Sequence, residues 1–382
     1  MLPLAGVRVI EFCQVAAGPF CGMLLADLGA DVIKIEPPDG DMLRQWPPIS
    51  NGYSENFASL NRNKRSVVLD LKNPAHKKQA RALILSADVV VENNRPGVMD
   101  RLGLGYAALK DEKPGLIYCS ISAFGQTGPR SGEGGFDVTV QAVSGIMSVT
   151  GEPDGAPVKC GVPVSDFTAG LYGAFAIAAK LRVVQNGGPG GHIDVSMLGA
   201  SLGIAALQTS EFFGTGRDPR KLGSAHPRNA PYQAFKAQDG YFVIAAGNDR
   251  LWQAVTEVVA RPDLLADARF TTTSQRAQNQ VALKDILEHV FATQPVDHWI
   301  AAFEAAGVPH GRINSYAQVL ADPQVAHMGW VQPITLPSGV KTQTFGFPVR
   351  FDGETLPVRH EPPALGGDTQ AVLGPLASKA AE

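Results

Sequence analysis

An α/β fold, with a large doubly wound domain and a smaller α/β domain, is predicted by three features of this chain. Val/Ile-rich strand-like runs alternate with helix-like stretches through the first third, and Gly/Pro turns punctuate them. A polar, Gly/Pro/Arg-rich stretch from Gly214 to Asn229 then separates this region from a later hairpin and helices. At 382 residues the chain is long enough for two domains, and 45% hydrophobic content suits a sizeable core. A net charge of −3 gives no whole-protein bias toward nucleic acid or an anionic membrane.

Val7 to Phe12 reads as a buried strand, Pro19 to Leu28 as a helix ended by Gly29, and Asp31 to Glu36 as a second strand. Pro19 suits the first helical position, where its missing N–H is no loss. Such a βαβ unit implies a right-handed crossover and a parallel sheet. The alternation continues with a strand over Val67 to Leu71, a helix from Pro74 to Ser86, and strands over Asp88 to Val91 and Leu116 to Ile121. Asp137 is placed to cap an amphipathic helix running to about Thr150. Val162-Pro-Val-Ser165 reads as a short β-like run, followed by an apolar helix from Phe167 to Leu181. A Gly/Pro turn at Asn186 to Gly191 leads to a strand from His192 to Val195 and a further apolar helix. Residues 1–214 therefore form one Rossmann-like domain.

Beyond it, residues 215–329 hold the linker and the small α/β domain. A hairpin from Tyr232 to Ala246 turns at Asp239-Gly240, and helices follow over Arg250 to Ala260, Asn279 to Thr293 and Val296 to Ala306. Strand-like, Pro-rich pieces from Trp330 to Phe351 begin a C-terminal segment, 330–382, expected to return to the large domain.

The N-terminus has no basic region followed by a long apolar one, and the low-polarity stretch Ala169 to Ala179 falls short of the ~20 residues that span a bilayer. Cys13, Cys21, Cys119 and Cys160 show no CxxC spacing, and no histidines stand at HxxxH or HExxH spacing. A soluble cytoplasmic protein with reduced thiols, no metal site and no nucleic-acid or membrane partner is the expectation.

The chemistry centres on Asp166. An Asp before a helix is commonly an N-cap. Yet the helix after it carries Gly170, Gly173, Ala174, Ala176, Ala178 and Ala179, small residues that allow close packing and leave little water at its mouth. A carboxylate there is a candidate nucleophile. Glu36, closing the second strand, invites a dinucleotide reading, but Ala16-Ala17-Gly18-Pro19 lacks GxGxxG spacing and Pro19 removes an N–H that a pyrophosphate needs. A second cluster, Asn61-Arg-Asn-Lys-Arg65, Lys72, Asn93-Asn-Arg-Pro-Gly97 and Arg101, concentrates cations and amides near strand ends, where a phosphorylated ligand would bind.

Together these segments resemble the class III coenzyme A transferases, the family of formyl-CoA and carnitine-CoA transferases. The resemblance rests on Val9-Ile-Glu-Phe12 with Ala17-Gly-Pro19, Leu28-Gly-Ala-Asp-Val-Ile-Lys-Ile-Glu36, Asn63-Lys-Arg-Ser66, Val91-Glu-Asn93 with Arg95-Pro-Gly97, Ser122-Ala-Phe-Gly125 with Gly128-Pro129, and Asp166 followed by Gly170. Ala230-Pro-Tyr232 and Asp239-Gly240 extend it into the small domain. It implies that Asp166 is a nucleophile forming an aspartyl-CoA thioester, and that Gln14, Val15, Ala16, Lys72, Asn93, Asn94 and Arg101 bind CoA. It also implies acyl-CoA and a carboxylic acid as substrates, no tightly bound cofactor, and a homodimer of interlocked rings.

The chain departs from some relatives in carrying Pro37-Pro38 where they have arginine, and Gly223-Ser-Ala-His-Pro-Arg-Asn229 where formyl-CoA transferase has a tetraglycine loop. The small domain is similar to that of succinyl-CoA-dependent members acting on dicarboxylates, which makes His226 and Arg228 candidate contacts for a distal carboxylate. The related α-methylacyl-CoA racemases place a base in a Gly-His-Asp motif; here the triplet is Gly135-Phe136-Asp137, and Phe transfers no proton. A non-catalytic acyl-CoA-binding protein of the same fold is the remaining alternative.

Overall fold

The computed structural model describes residues 1–379. The chain divides into two compact units: one holds 1–146, 159–217 and the C-terminal segment from Pro323, the other Met147–Val158 and Asp218–Asp322.

The first unit is a six-stranded, wholly parallel sheet of β1 (Arg8–Phe12), β2 (Asp31–Glu36), β3 (Lys64–Val68), β4 (Val89–Glu92), β5 (Ile117–Ser122) and β6 (Gly191–Ser196), ordered 3-2-1-4-5-6. This is the doubly wound order, and the reversal falls between β1 and β4. Near-continuous burial of Val9, Ile10, Val32, Ile33, Val89, Val90 and Val91 fits a sheet covered on both faces. Helix α1 (Ala17–Asp27) links β1 to β2, and α2 (Pro74–Ser86), capped by Asn73 with proline in its first turn, links β3 to β4. Then come α3 (Asp137–Val143), α4 (Val164–Gln185) and α5 (Met197–Ile204).

Several elements differ from expectation. β3 starts at Lys64, not Val67, because its polar residues Lys64 and Ser66 are buried with internal partners instead of facing water. The helix expected from Asp137 to Thr150 breaks after Val143, where Gly145 takes φ 86°. The β-like run Val162–Ser165 is instead the approach to α4, whose first residue is Val164.

Helix α4 is 22 residues long, longer than its apolar centre suggests, and by length and composition alone it could cross a membrane. Its Ala169, Gly170, Gly173, Ala174, Ile177 and Leu181 are buried in the core of the first unit, which is how a core helix passes the same test. Gly170 faces α1 so closely that a Cβ there would stand 2.6 Å from the Ala17 carbonyl oxygen.

In the second unit, β7 (Tyr232–Lys236), β8 (Tyr241–Ala245) and β9 (His310–Arg312) form an antiparallel sheet ordered 9-8-7. Helices α6 (Asp249–Val258), α7 (Gln280–Phe291) and α8 (Val296–Ala305) pack an aromatic core in which Phe291 meets Phe242 and Trp299 edge-on, each at 5.0 Å between centroids.

Candidate active site

In a doubly wound sheet the ligand crevice opens beyond the carboxyl ends of the strands on either side of the order reversal. Those ends are Phe12 and Glu92, followed by Cys13–Ala16 and Asn93–Asn94. The two loops are tied together. The Gln14 N–H donates to Asn93 Oδ1 at 2.9 Å, and Asn93 Nδ2 returns a bond to the Gln14 carbonyl at 2.9 Å. Val15 takes φ 66°, a costly conformation for a β-branched residue, and its N–H donates to Asp41 Oδ1 at 3.0 Å. The chain then enters α1. The N–H groups of Ala16 and Ala17 have no hydrogen-bond partner among the described residues, as the first turn of a helix leaves them.

Asp166 reaches the same crevice from the other side. It lies four residues before Gly170, so both share the α4 face that presses on α1, and Asp166 is set beside the start of α1. Phe20 and Phe167 pack at 4.6 Å between centroids and fix the two helices there. A cavity of about 240 Å³ results, lined by Gln14, Val15, Ala16, Ala17, Met42, Asn93, Asn94, Ile121, Ala123, Gly135, Phe136, Asp166 and Met197. Asp166 is its one titratable lining side chain among the described residues.

Asp166 does not cap its helix. The helix begins at Val164 after Pro163, so the carboxylate sits inside the first turn, and no donor among the described residues bonds it. Burial pushes its pKa up to about 7, with the nearby Asp137 charge adding to the rise. Asp137 does not cap its own helix either, since Thr139 Oγ1 accepts the Phe136 N–H at 2.9 Å. Instead Asp137 Oδ1 accepts the Ser165 N–H at 2.9 Å at the mouth of α4, while Oδ2 accepts from Gln141 Nε2 at 2.6 Å.

A neighbouring cavity lined by Phe12, Gln14, Pro37, Leu71, Lys72, Asn94 and Met99 shares Gln14 and Asn94 with the first. The structure thus brings Gln14, Val15, Ala16, Asn93, Asn94 and Asp166 together and puts Lys72 in the adjoining space. Arg101 is exposed at the end of the short helix Val98–Arg101 and lines neither cavity. His226 and Arg228 belong to the second unit, where His226 Nδ1 accepts the N–H groups of Arg228 and Asn229, each at 3.1 Å, and so shapes its own turn.

The basic run Asn61–Arg65 does not contribute. Arg62 pairs with Asp27 at 2.6 Å, Arg65 pairs with Asp31, and Lys64 is buried against Glu11 at 2.8 Å. Glu36 is likewise consumed by Arg44 at 2.7 Å and Ser66 Oγ at 2.6 Å, which leaves it no capacity to bind a ribose. Sequence reasoning missed Lys34 and Asp41, which stand behind the first loop; nothing in the local pattern separates such a pair from solvated charges.

Known proteins match the chain over nearly its whole length. The family model described as CoA-transferase family III covers residues 4–369. The chain belongs to this family. It is 39% identical over 375 residues to the succinyl-CoA:glutarate CoA-transferase of Mus musculus, covering 98% of this chain and 86% of that one. To the acetyl-CoA:oxalate CoA-transferase of Acetobacter aceti it is 42% identical over 326 residues, covering 85% of this chain and 84% of that one. The solved CAIB/BAIF family protein from Brucella suis superposes with a TM-score of 0.87 at 39% identity, covering 98% of this chain and 99% of that one. The protein is therefore a CoA-transferase, and the crevice at the sheet's reversal is where its CoA thioester substrate is to be sought.

Proposed function

We propose that the enzyme moves CoA from an acyl-CoA, with succinyl-CoA as donor, to a small dicarboxylate such as glutarate, through an aspartyl-CoA thioester on Asp166. The observation that carries this reading is the half-buried Asp166 carboxylate, without a bonded donor among the described residues, in a cavity that Ala16 and Ala17, whose N–H groups have no partner there, also line.

Its oxygen attacks the thioester carbonyl, the tetrahedral oxyanion collapses, and CoA thiolate leaves a mixed anhydride. The thiolate then attacks the aspartyl carbonyl, freeing the donor acid and leaving Asp166 as the CoA thioester. The acceptor carboxylate attacks that thioester and again expels thiolate; the thiolate takes the acceptor acyl group and regenerates the Asp166 carboxylate. Every step passes through an oxyanion, and the unpartnered N–H groups of Ala16 and Ala17, which line the pocket, are the donors assigned to stabilise it. Desolvation that raises the carboxylate's pKa also makes its ionised form a better nucleophile. Apolar walls from Ile121, Ala123, Phe136 and Met197 suit intermediates that water would hydrolyse.

Lys72, Gln14, Asn93 and Asn94 are assigned to CoA, Arg101 to its phosphates, and His226 and Arg228 to the acceptor's distal carboxylate. Exposed apolar residues of the first unit, among them Phe136, Leu171, Phe175, Leu207 and Phe213, support a homodimer, interlocked as in the resembling family. A soluble cytoplasmic enzyme without a tightly bound cofactor completes the proposal. The racemase alternative needs a second base, and Phe136 supplies none.

The test is to mix enzyme with succinyl-CoA, quench with hydroxylamine and analyse peptides by mass spectrometry. A hydroxamate at Asp166, absent from Asp166→Asn, is expected; an unmodified Asp166 in active enzyme overturns the mechanism. A panel of acids against succinyl-CoA, acetyl-CoA and formyl-CoA tests the substrate assignment.

A further inference from the structure

Behind the first loop lies a buried ionic cluster that the chemistry above does not use. Lys34, Glu11 and Asp41 are each 0% exposed. Lys34 Nζ contacts Asp41 Oδ2 at 2.9 Å and Glu11 Oε1 at 3.1 Å, and donates to the Cys13 carbonyl at 2.7 Å. Lys64 holds the other Glu11 oxygen at 2.8 Å. The cluster has been given room: a Cβ at Gly22 of α1 would stand 1.8 Å from Glu11 Oε2. Asp41 is fixed in turn, because its N–H donates to Glu36 at 3.0 Å and its Oδ1 accepts the Leu43 N–H at 2.9 Å.

Burying so many charges is not an economical route to stability, since a well-packed apolar set commonly serves as well or better. What the cluster does supply is geometry. Lys34 fixes the carbonyl of Cys13, and Asp41 fixes the N–H of Val15, whose left-handed backbone is disfavoured for a β-branched side chain. Asn93 clamps Gln14 between them. The next residues, Ala16 and Ala17, line the Asp166 cavity, and their N–H groups have no partner among the described residues.

We propose that Asp41 and Lys34 are positioning residues of the transfer reaction: their buried ion pair holds Val15 in its strained turn and so aims the Ala16 and Ala17 amides at the oxyanion formed on Asp166 attack. This rests on the Asp166 mechanism proposed above. Asp41 and Lys34 touch no reacting atom and act through Val15.

The experiment compares Asp41→Asn, Val15→Gly and the double variant in the full-length protein. Glycine takes φ 66° without strain, so Val15→Gly removes the demand that the pair meets while leaving every buried charge in place. Asp41→Asn is expected to lower kcat and the single-turnover rate of Asp166 hydroxamate formation by about 10- to 100-fold relative to wild type, the range of a partly lost oxyanion donor, with KM for acyl-CoA changed less than about threefold. In the Val15→Gly background the same substitution is expected to cost less than about threefold, because the loop no longer needs the pair; where Asp41→Asn alone fails to fold, Val15→Gly against the double variant still reads this. An equal loss in both backgrounds, or wild-type kcat in folded Asp41→Asn, overturns the proposal. Failure of the underlying mechanism reads differently: the wild-type enzyme itself then yields no Asp166 hydroxamate.

Discussion

Two charged regions flank the first loop, and they are built on opposite plans. Around Glu11, Lys34, Asp41 and Lys64, each buried charge has a counter-charge within 3.1 Å. Asp166, on the other side of the loop, has no ionic partner and no bonded donor among the described residues. Saturated charges hold a shape, whereas an unsatisfied carboxylate is held at high energy and is available to react. Asp137 shows the boundary between the plans: its oxygens are spent on Ser165 and Gln141, so it fixes the mouth of α4 and presses on Asp166 by repulsion.

The largest expected effect comes from removing the unsatisfied charge. Asp166→Asn should lower turnover by more than about 10⁴-fold, as loss of a covalent nucleophile does, while its melting temperature at pH 8 rises above wild type. The sign follows from linkage. Between the ordinary Asp value of 3.8 and about 7, the folded chain keeps a proton that the unfolded chain has released. Wild-type stability therefore contains a component that declines as pH rises through this window and levels off above it; the Asn variant should lack that component in denaturant titrations at pH 5 and pH 8.

Next in size is Gly170→Ala, which puts a Cβ against a backbone carbonyl that cannot rotate away. It should cost about 1–3 kcal/mol of stability, read by urea unfolding, and lower kcat by separating Asp166 from the loop amides. In rapid-quench assays, the rate of covalent enzyme formation should rise with pH up to about 7 and then plateau, because only the ionised carboxylate attacks. The smallest change is expected from Asp137→Asn, which keeps an acceptor for the Ser165 N–H but removes the neighbouring charge. That midpoint should move down yet stay above 3.8, since burial is the larger cause of the rise.

Much of this architecture was legible where local chemistry and tertiary role agree. Asp31–Glu36 and Pro74–Ser86 have the expected bounds because a Val/Ile strand and an Asn-Pro helix start are self-sufficient signals. Asp166 stood out because small residues after a carboxylate imply close packing, and Gly170 against Ala17 is that packing. The failures share one cause. Lys64, Arg62 and Arg65 resemble a ligand-binding face by composition, but Glu11, Asp27 and Asp31, residues distant in sequence, claim them. Lys34 and Asp41 escaped notice for the same reason: burial of a charge depends on partners that a local pattern does not contain.

The edge strand β3 has a consequence for synthesis. Its outer side is covered by the end of the chain: Ser66 N–H donates to Asp368, 302 residues later, Val68 N–H to Thr369, and Asn63 Oδ1 accepts from the backbone of Arg359 and His360. While the ribosome is still making the second unit, that strand presents unpaired amides and carbonyls of the kind that recruit other chains. The nascent protein thus keeps this edge open until residues 359–369 have been made, and that late segment is a built-in cover for the strand.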